Sequence, residues 1–568
     1  MNYHNRNAQP NDVSLLWRDA QDSFTINPSN TYSVDDLRVN VLASTISPHM
    51  NYNPFIYTIL QTLITDSATL QYRHAVLDDC LAHPEFTSGL TSVLPLIREL
   101  HQFTSDIRTR RNEISIVLSR LTELENYVEC IQALYTLLKK FKSHLKADGW
   151  LTLYQKVHEV ITDPQFNQMV EELPQLRANV REIVSITIGV NLSPDLRPIG
   201  VTLLSLNKQR FKGPRFFRKL WGIDDEEDLR GISPLREAPT QAKSIMADRG
   251  KTLDQLAGNA LFKDLAKVLD DVIRPIGQAL QSYTRVNSGF LRHIEPEIAF
   301  YTGAVELIHR LQKHGLPMTK PRILPIEDRR LEASNLYNLD LALRLSKEHP
   351  NDDLNAYIVG NDICFDDSGR IQILTGPNRG GKTTYTQSIG LLHVMAQAGL
   401  YVPAESVAIS PIDAIFLHFP VEENPTMESG RLGEEAQRLR LIFKHATPHS
   451  LILLNESLAS TSASESFYLA RDVVSCLRIL GTRAVFVTHL HELAEDSDAI
   501  NAEVSGRSIV QSVVSIVDQG ENGVRRTYKV IPAPPRGRSY AREIAQQYGI
   551  SFEQLQSLLN ERDLLNGN

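Results

Sequence analysis

The stretch IQILTGPNRGGKTT, residues 371–384, decides the fold, because it holds Gly376, four intervening residues, and then Gly381, Lys382 and Thr383. This is the spacing of a phosphate-binding loop. Glycines let successive backbone N–H groups turn inward onto phosphate oxygens, the lysine reaches the β and γ phosphates, and the hydroxyl ligates Mg²⁺. The nucleotide-binding set read from it is Gly376, Pro377, Asn378, Gly380, Gly381, Lys382, Thr383 and Thr384, with a nucleoside triphosphate and Mg²⁺ as the implied ligands. Ile371, Ile373 and Leu374 predict a strand before the loop, and residues 383–398 predict the helix whose N-terminus faces the anion.

Downstream, residues 400–419 read LYVPAESVAISPIDAIFLHF, with a strand predicted over 414–419. The polar stretch 422–431, EENPTMESGR, precedes a helix expected over 432–446, so Ser429 stands at a helix N-terminus suited to a γ-phosphate. Residues 451–456, LILLNE, read as a buried strand whose tip carries an Mg²⁺-organising residue, Asn455, and a base for the attacking water, Glu456. The first of that pair is normally an aspartate; Asn455 is a neutral amide that adds no charge. Residues 484–493, AVFVTHLHEL, predict another buried strand, which delivers Thr488, His489 and His491 to the same sheet edge. His489 is there either a catalytic group or an ordinary loop histidine.

With 568 residues the chain is expected to hold several domains, since single cores stop growing at about 250–300 residues. A composition of 42% hydrophobic and 22% charged residues excludes a wholly disordered or fibrous chain. The net charge of −8 gives no global basic signature, so any nucleic-acid contact has to come from a local patch. Cys80, Cys130, Cys364 and Cys476 are far apart without a CxxC pair, which argues against zinc and a disulfide framework and fits a reducing cytosol. The polar start MNYHNRNAQPND and the lack of any run of about 18 apolar residues lead to the expectation of a cytoplasmic protein, neither secreted nor membrane-spanning.

Ahead of the loop, residues 35–100 alternate apolar helical patterns with breakers at Pro48, Pro54 and Pro84. From Ile114 to Leu145 the apolar residues Ile114, Val117, Leu121, Leu124, Val128, Ile131, Tyr135, Leu138 and Leu145 follow steps of three and four, missing only at Lys142. That predicts one long helix, either a core helix of a bundle or a lever arm. Residues 183–188 (IVSITI) and 199–206 (IGVTLLSL) flank NLSPDLRP and predict a β-hairpin or small sheet. Immediately after it, residues 207–220, NKQRFKGPRFFRKL, carry Lys208, Arg210, Lys212, Arg215, Arg218 and Lys219 among three phenylalanines. Cations neutralise phosphates while aromatics stack on bases, so this is the DNA-binding candidate; the other reading is a loop paired with the acidic run 224–228. Residues 253–314 predict a second long helical region broken at Pro275 and Pro296, and 317–350 read as a proline-punctuated linker.

Taken together, TGPNRGGKTT, MAQAGLYVPAES, LILLNES with STS after it, and VTHLHEL resemble the ATPase domain of the MutS family of DNA mismatch repair proteins, over about residues 355–500. The resemblance implies an α plus α/β chain: a mostly helical core with two lever helices and a small β insertion forming a DNA clamp, then a P-loop ATPase domain of the ABC type. On that basis residues 1–34 are a tail, 35–345 the core and lever domain with its clamp-like insertion near 183–222, 346–535 the ATPase domain, and 536–568 a helical dimerisation element. Departures from the family pattern are visible. Core-like sequence begins near residue 35, and the first hundred residues hold no Phe-x-Glu, the wedge of mismatch-reading members. The family's Gly-Arg-Gly-Thr is Leu-Ala-Ser-Thr at 458–461, and its Ser-Thr-Phe-Met is Ser-Gly-Arg-Leu at 429–432.

The function this implies is a homodimeric ATP-dependent clamp on mispaired, branched or duplex DNA, in which ATP and Mg²⁺ at Lys382, Thr383 and Asn455 meet the partner's Ser429 region and Glu456 activates water. Two other readings stand beside it: a nucleotide-binding scaffold with little or no hydrolysis, because of Asn455, and an ABC-type transporter module, disfavoured by the chain's long N-terminal part.

Overall fold

A computed structural model describes residues 13–18, 34–106, 113–182, 185–195, 198–209, 276, 279–280, 289–419, 430–520, 523–535 and 549–561. They fall into two units, one built from Met1–Leu94, Leu137–Tyr154 and His293–Asn568, the other from Pro95–Thr136 and Gln155–Arg292.

The chain opens with helices α1 (Val39–Ile46), α2 (Asn53–Gln61), α3 (Ser67–Ala82) and α4 (Pro84–Asp106). The prolines fall where a missing N–H costs least: Pro48 lies between α1 and α2, Pro54 in the first turn of α2, and Pro84 opens α4. Helix α5 (Glu113–Phe141) is the long helix of the sequence reading, yet it stops four residues before Leu145. The gap in the pattern at Lys142 marks that end, for the N–H groups of His144 and Leu145 both turn back to the Phe141 carbonyl. Val117, Leu121, Leu124, Ile131 and Leu138 are buried as the pattern predicts. Tyr127, Cys130 and Leu134 are buried too, so α5 packs on a broader face than a single seam. After α6 (Asp148–Thr162) and α7 (Pro164–Glu182), β1 (Ser185–Leu192) and β2 (Pro198–Asn207) pair antiparallel as the expected hairpin.

Helix α8 (Gly289–Lys313) overturns one expectation, since it runs through Pro296 without ending. An interior proline costs about 3 kcal/mol, but each fully buried apolar side chain returns about 1.5–3 kcal/mol. Ile294, Ile298, Tyr301, Val305 and Ile308 are all buried, so packing outweighs the lost bond. Pro275 lies outside the described residues. The stretch 317–350 is also no linker: it contains β3 (Arg322–Ile323), β4 (Leu331–Leu336) and α9 (Leu339–Glu348). Only Leu331, Ala333 and Leu336 of β4 face inward, which left too short an alternation to read as a strand.

The rest of this unit is α/β. In order come β5 (Asn361–Phe365), β6 (Ile371–Thr375), α10 (Lys382–Ala398), β7 (Ser406–Ile409), β8 (Ile415–His418), α11 (Gly430–His445), β9 (Leu451–Asn455), α12 (Ala463–Leu480), β10 (Arg483–Val487), α13 (His491–Glu495), α14 (Ser497–Glu503), β11 (Val510–Gly520), β12 (Gly523–Pro532) and α15 (Phe552–Glu561). One sheet has the order β12-β11-β6-β10-β9-β8, parallel except for the β11–β12 edge pair; the other is β3-β7-β4-β5. Every residue of β6, β9 and β10 is buried, which fits a parallel sheet covered on both faces. Ile373, Phe416, Leu454 and Phe486 pack against Leu439 and Ile442 of α11 and Val474 and Leu477 of α12, and α10 covers the opposite face.

Residues 13–17 form a short strap threaded through the same unit, with Leu15 and Leu16 fully buried. Its backbone is satisfied by side chains: Leu15 N–H donates to Glu297, the Tyr301 hydroxyl to the Leu15 carbonyl, and Arg73 Nε to the Leu16 carbonyl. Arg73 also donates to the carbonyl of Ala398, the last residue of α10.

Candidate nucleotide site

Parallel strands deliver their C-terminal tips to one sheet edge, and the register sets which tips meet. Val487 pairs with both Asn455 and Leu374, so β6, β9 and β10 end level with one another. The loop after Thr375, the turn at Glu456 and the segment from Thr488 to His489 therefore gather at a single crevice.

The loop needs its glycines. Gly376 has φ 141°, and a Cβ there would stand 2.8 Å from Cβ of Ser515 on β11. Gly381 has φ 87°, and its added Cβ would lie 3.3 Å from the Tyr528 ring. Ser515 donates to the Gly380 carbonyl at 2.7 Å, which fixes the loop to β11. Lys382 opens α10 with its side chain buried, and its ammonium donates to the carbonyls of Gly376 and Pro377 at 2.9 Å each. Burial lowers the lysine's pKa, and the negative charge of Glu456 opposes that shift. The Thr383 hydroxyl lies 3.5 Å from the Asn455 amide oxygen. Asn338, the N-cap of α9, donates to the Thr384 carbonyl at 3.0 Å and so ties α9 to the first turn of α10.

Beside the loop lies a cavity of about 580 Å³. Residues 378–385 and Glu456 line it, and Leu341, Leu345, Tyr357, Val359 and Tyr528 supply apolar and aromatic lining. Sequence reasoning missed this apolar lining. Its signal was the four-residue spacing of Leu341 and Leu345 on α9, inside the stretch read as a linker. Asn361 holds Tyr528 in place by donating to the Tyr528 carbonyl at 3.2 Å and accepting from Val530 N–H at 2.8 Å.

At the tip of β9, the Glu456 carboxylate pairs with His489 Nε2 at 2.9 Å. Glu456 N–H donates to the Val487 carbonyl at 2.9 Å, locking the turn to β10. Glu456 and Leu458 both hold left-handed backbones, at φ 50° and 65°. His491 opens α13; burial lowers its pKa, and the nearby His489 pushes in the same direction. Among the described residues no group of three or more His, Cys, Asp and Glu side chains converges as a metal cage. A divalent ion at this edge would rest on the Thr383 hydroxyl, the Asn455 amide and phosphate oxygens, a donor set of hard oxygens that suits magnesium.

Of the DNA-binding candidates only Lys208 is described: it is exposed and lines a groove of about 840 Å³ with Glu125, Glu129 and Arg177. Arg210, Lys212, Arg215, Arg218, Lys219 and also Ser429 lie outside the described residues. No described helix is long and apolar enough to cross a membrane.

A glycine loop between a central parallel strand and a buried helix, with acidic and histidine side chains on neighbouring strand tips, defines an α/β domain whose polar groups gather at one sheet edge. The family model described as MutS domain V matches residues 372–558, and that described as the MutS2 N-terminal domain matches residues 65–314. The chain belongs to the MutS family. It is 26% identical over 490 residues to the DNA mismatch repair protein MSH2 of Saccharomyces cerevisiae, covering 78% of this chain and 47% of that protein. Against the DNA mismatch repair protein MutS of Halothermothrix orenii the identity is 25% over 490 residues, covering 78% of this chain and 53% of that protein. The MutS of Thermosipho melanesiensis is 33% identical over 193 residues, 34% of this chain and 23% of that protein. The chain thus spans about half the length of the first two relatives.

Proposed function

We propose that this protein is a MutS-type ATPase that couples ATP binding and hydrolysis to DNA binding. The observation that carries the reading is the gathering of Lys382, Thr383, Asn455, Glu456 and His489 at one sheet edge beside a cavity with apolar and aromatic lining. In this reading Lys382 exchanges its carbonyl partners for the β and γ phosphates, and backbone N–H groups of residues 376–383 complete the cradle. Thr383 and Asn455 would hold magnesium, which supplies neutralisation of phosphate charge. Glu456 accepts the proton of the attacking water, while His489 holds the carboxylate through Nε2. The apolar and aromatic lining receives the base.

The rest of the reading extends to partners. A homodimer would set Ser429 of one copy against the nucleotide of the other, with 536–568 supporting it; Ile550, Phe552, Leu555 and Leu558 there are exposed apolar side chains that fit the role. DNA, mispaired, branched or duplex, would be held through Lys208, Arg210, Lys212, Arg215, Arg218 and Lys219 by shape and phosphates. The relatives' names place them in DNA mismatch repair, and a cytoplasmic site of action accords with that. The division into residues 1–34, 35–345, 346–535 and 536–568, with the clamp-like insertion near 183–222, belongs to the same proposal.

Steady-state hydrolysis in wild type and Glu456→Gln tests the chemistry: loss in the variant supports the assignment, and equal rates remove Glu456 as the base. Binding to duplex, mispaired and branched DNA across a salt series, with Lys208, Arg210 and Arg215 neutralised, tests the DNA contact. Unchanged affinity and salt slope would remove that stretch. Asn455 favours a second reading, nucleotide binding with little turnover, for which wild type and Glu456→Gln would both bind ATP and both fail to hydrolyse it.

A further inference from the structure

We infer that His418 and Glu435 are positioning residues that hold the turn bearing Glu456 in its strained conformation, and so set how fast the bound nucleotide is hydrolysed. The inference rests on the ATPase reading above.

The turn is unusual in its backbone. Glu456 and Leu458 flank Ser457, and both are non-glycine residues at positive φ. Such conformations cost free energy and persist only where the surroundings over-determine them. Three side chains do that. The Ser457 hydroxyl, buried, bonds Nδ1 of His418 at 2.7 Å. The Leu458 N–H donates to the Glu435 carboxylate at 2.7 Å. The Leu458 carbonyl accepts from the Ser466 hydroxyl at 2.7 Å. Those partners come from three elements, β8, α11 and α12, and none of them belongs to the P-loop or touches its residues through these bonds.

His418 carries a second argument. Its ring is 2% exposed, with the backbone of His418 itself and of Glu435 within reach of it. Burying a polar ring is costly unless its nitrogens are partnered. The compensating contact is the one to Ser457. Burial lowers the His418 pKa to about 4, with the nearby charge of Arg438 acting in the same direction. The ring is therefore neutral at physiological pH, and the bond persists there as a neutral one.

A misplacement of about 1 Å at a reacting group can cost a hundredfold in rate, so loosening this turn acts on turnover while leaving the nucleotide cradle intact. The test uses the full-length protein and four variants. Ser457→Ala and Glu435→Ala each remove one bond, and His418→Asn and Glu435→Gln keep a polar atom in its place. The expected result is a kcat lower by tenfold or more in the two alanine variants with KM for ATP within about twofold of wild type. The two conservative variants should recover most of the rate. Hydrogen exchange gives an independent readout: residues 456–460 exchange faster in the alanine variants, and residues 376–384 do not change. Wild-type kcat in both alanine variants would overturn the positioning role and leave the ATPase reading intact. A wild type without turnover would sink the ATPase reading instead, and unchanged exchange at 456–460 would then overturn the positioning role as well. Ser457→Ala removes a single hydroxyl, which keeps the test open should Glu435→Ala fail to fold.

Discussion

The Thr383 hydroxyl stands 3.5 Å from the side-chain oxygen of Asn455, so the first turn of α10 faces a neutral amide across the sheet edge where a carboxylate is usual for this pair. Both side chains are held by the secondary structure that presents them, Thr383 by α10 and the buried Asn455 by the end of β9. A full negative charge at Asn455 would meet a divalent ion beside Thr383 at short range. Asn455→Asp is therefore expected to lower the Mg²⁺ concentration for half-maximal nucleotide binding by about tenfold. A magnesium titration of ADP affinity checks it, and an unchanged midpoint would mean that Asn455 lies outside the ion's reach.

Tyr528 supplies the next prediction. Its ring packs over Gly381 and lines the cavity together with Leu341 and Leu345, where an aromatic base would find a flat partner. Stacking of this kind contributes about 0.5–1.5 kcal/mol beyond area burial, so Tyr528→Ala should weaken ADP by roughly three- to tenfold and leave kcat nearly intact. Tyr528→Phe should bind as wild type does. Calorimetry on the three proteins decides it; equal affinities would place the base elsewhere.

What the sequence disclosed followed from how locally each feature is encoded. The spacing from Gly376 to Thr383 is a local pattern, and so are the mostly apolar five-residue stretches of β6, β9 and β10, which is why the glycine loop, the Glu456 turn and the His489 segment were all legible. The hairpin of β1 and β2 was legible through alternation. The apolar lining of the cavity was not, because Tyr528 and Tyr357 come to the same cavity only once β12 and the chain before β5 have folded, from positions 171 apart in sequence, by subtraction of the two residue numbers. Proline served and misled in turn: Pro84 begins a helix as its chemistry suggests, whereas Pro296 is carried inside α8 by buried neighbours. The strap at residues 13–17 carried no periodic signal at all; side chains from α3 and α8 satisfy it rather than a ladder or a helix.

That strap yields the last prediction. Glu297 accepts from the Ser14 hydroxyl at 2.8 Å and from Leu15 N–H, both inside the protein, with Arg73 close by. Those contacts favour the charged form, but desolvation is larger, and the pKa is raised from 4.5 to about 7. Between these two values the unfolded chain has released the proton and the folded one still holds it, so the folded state binds more protons and loses stability as pH rises. The stabilising contribution is complete below pH 4.5 and gone above about pH 7, a change of order 3 kcal/mol for a group buried this fully. Glu297→Gln removes the titration. Unfolding temperatures followed from pH 4.5 to 8 should therefore fall more steeply for wild type than for the variant, whatever fixed cost the amide brings. Parallel profiles would show that Glu297 keeps its charge throughout, held by Ser14, Leu15 and Arg73 against the cost of burial.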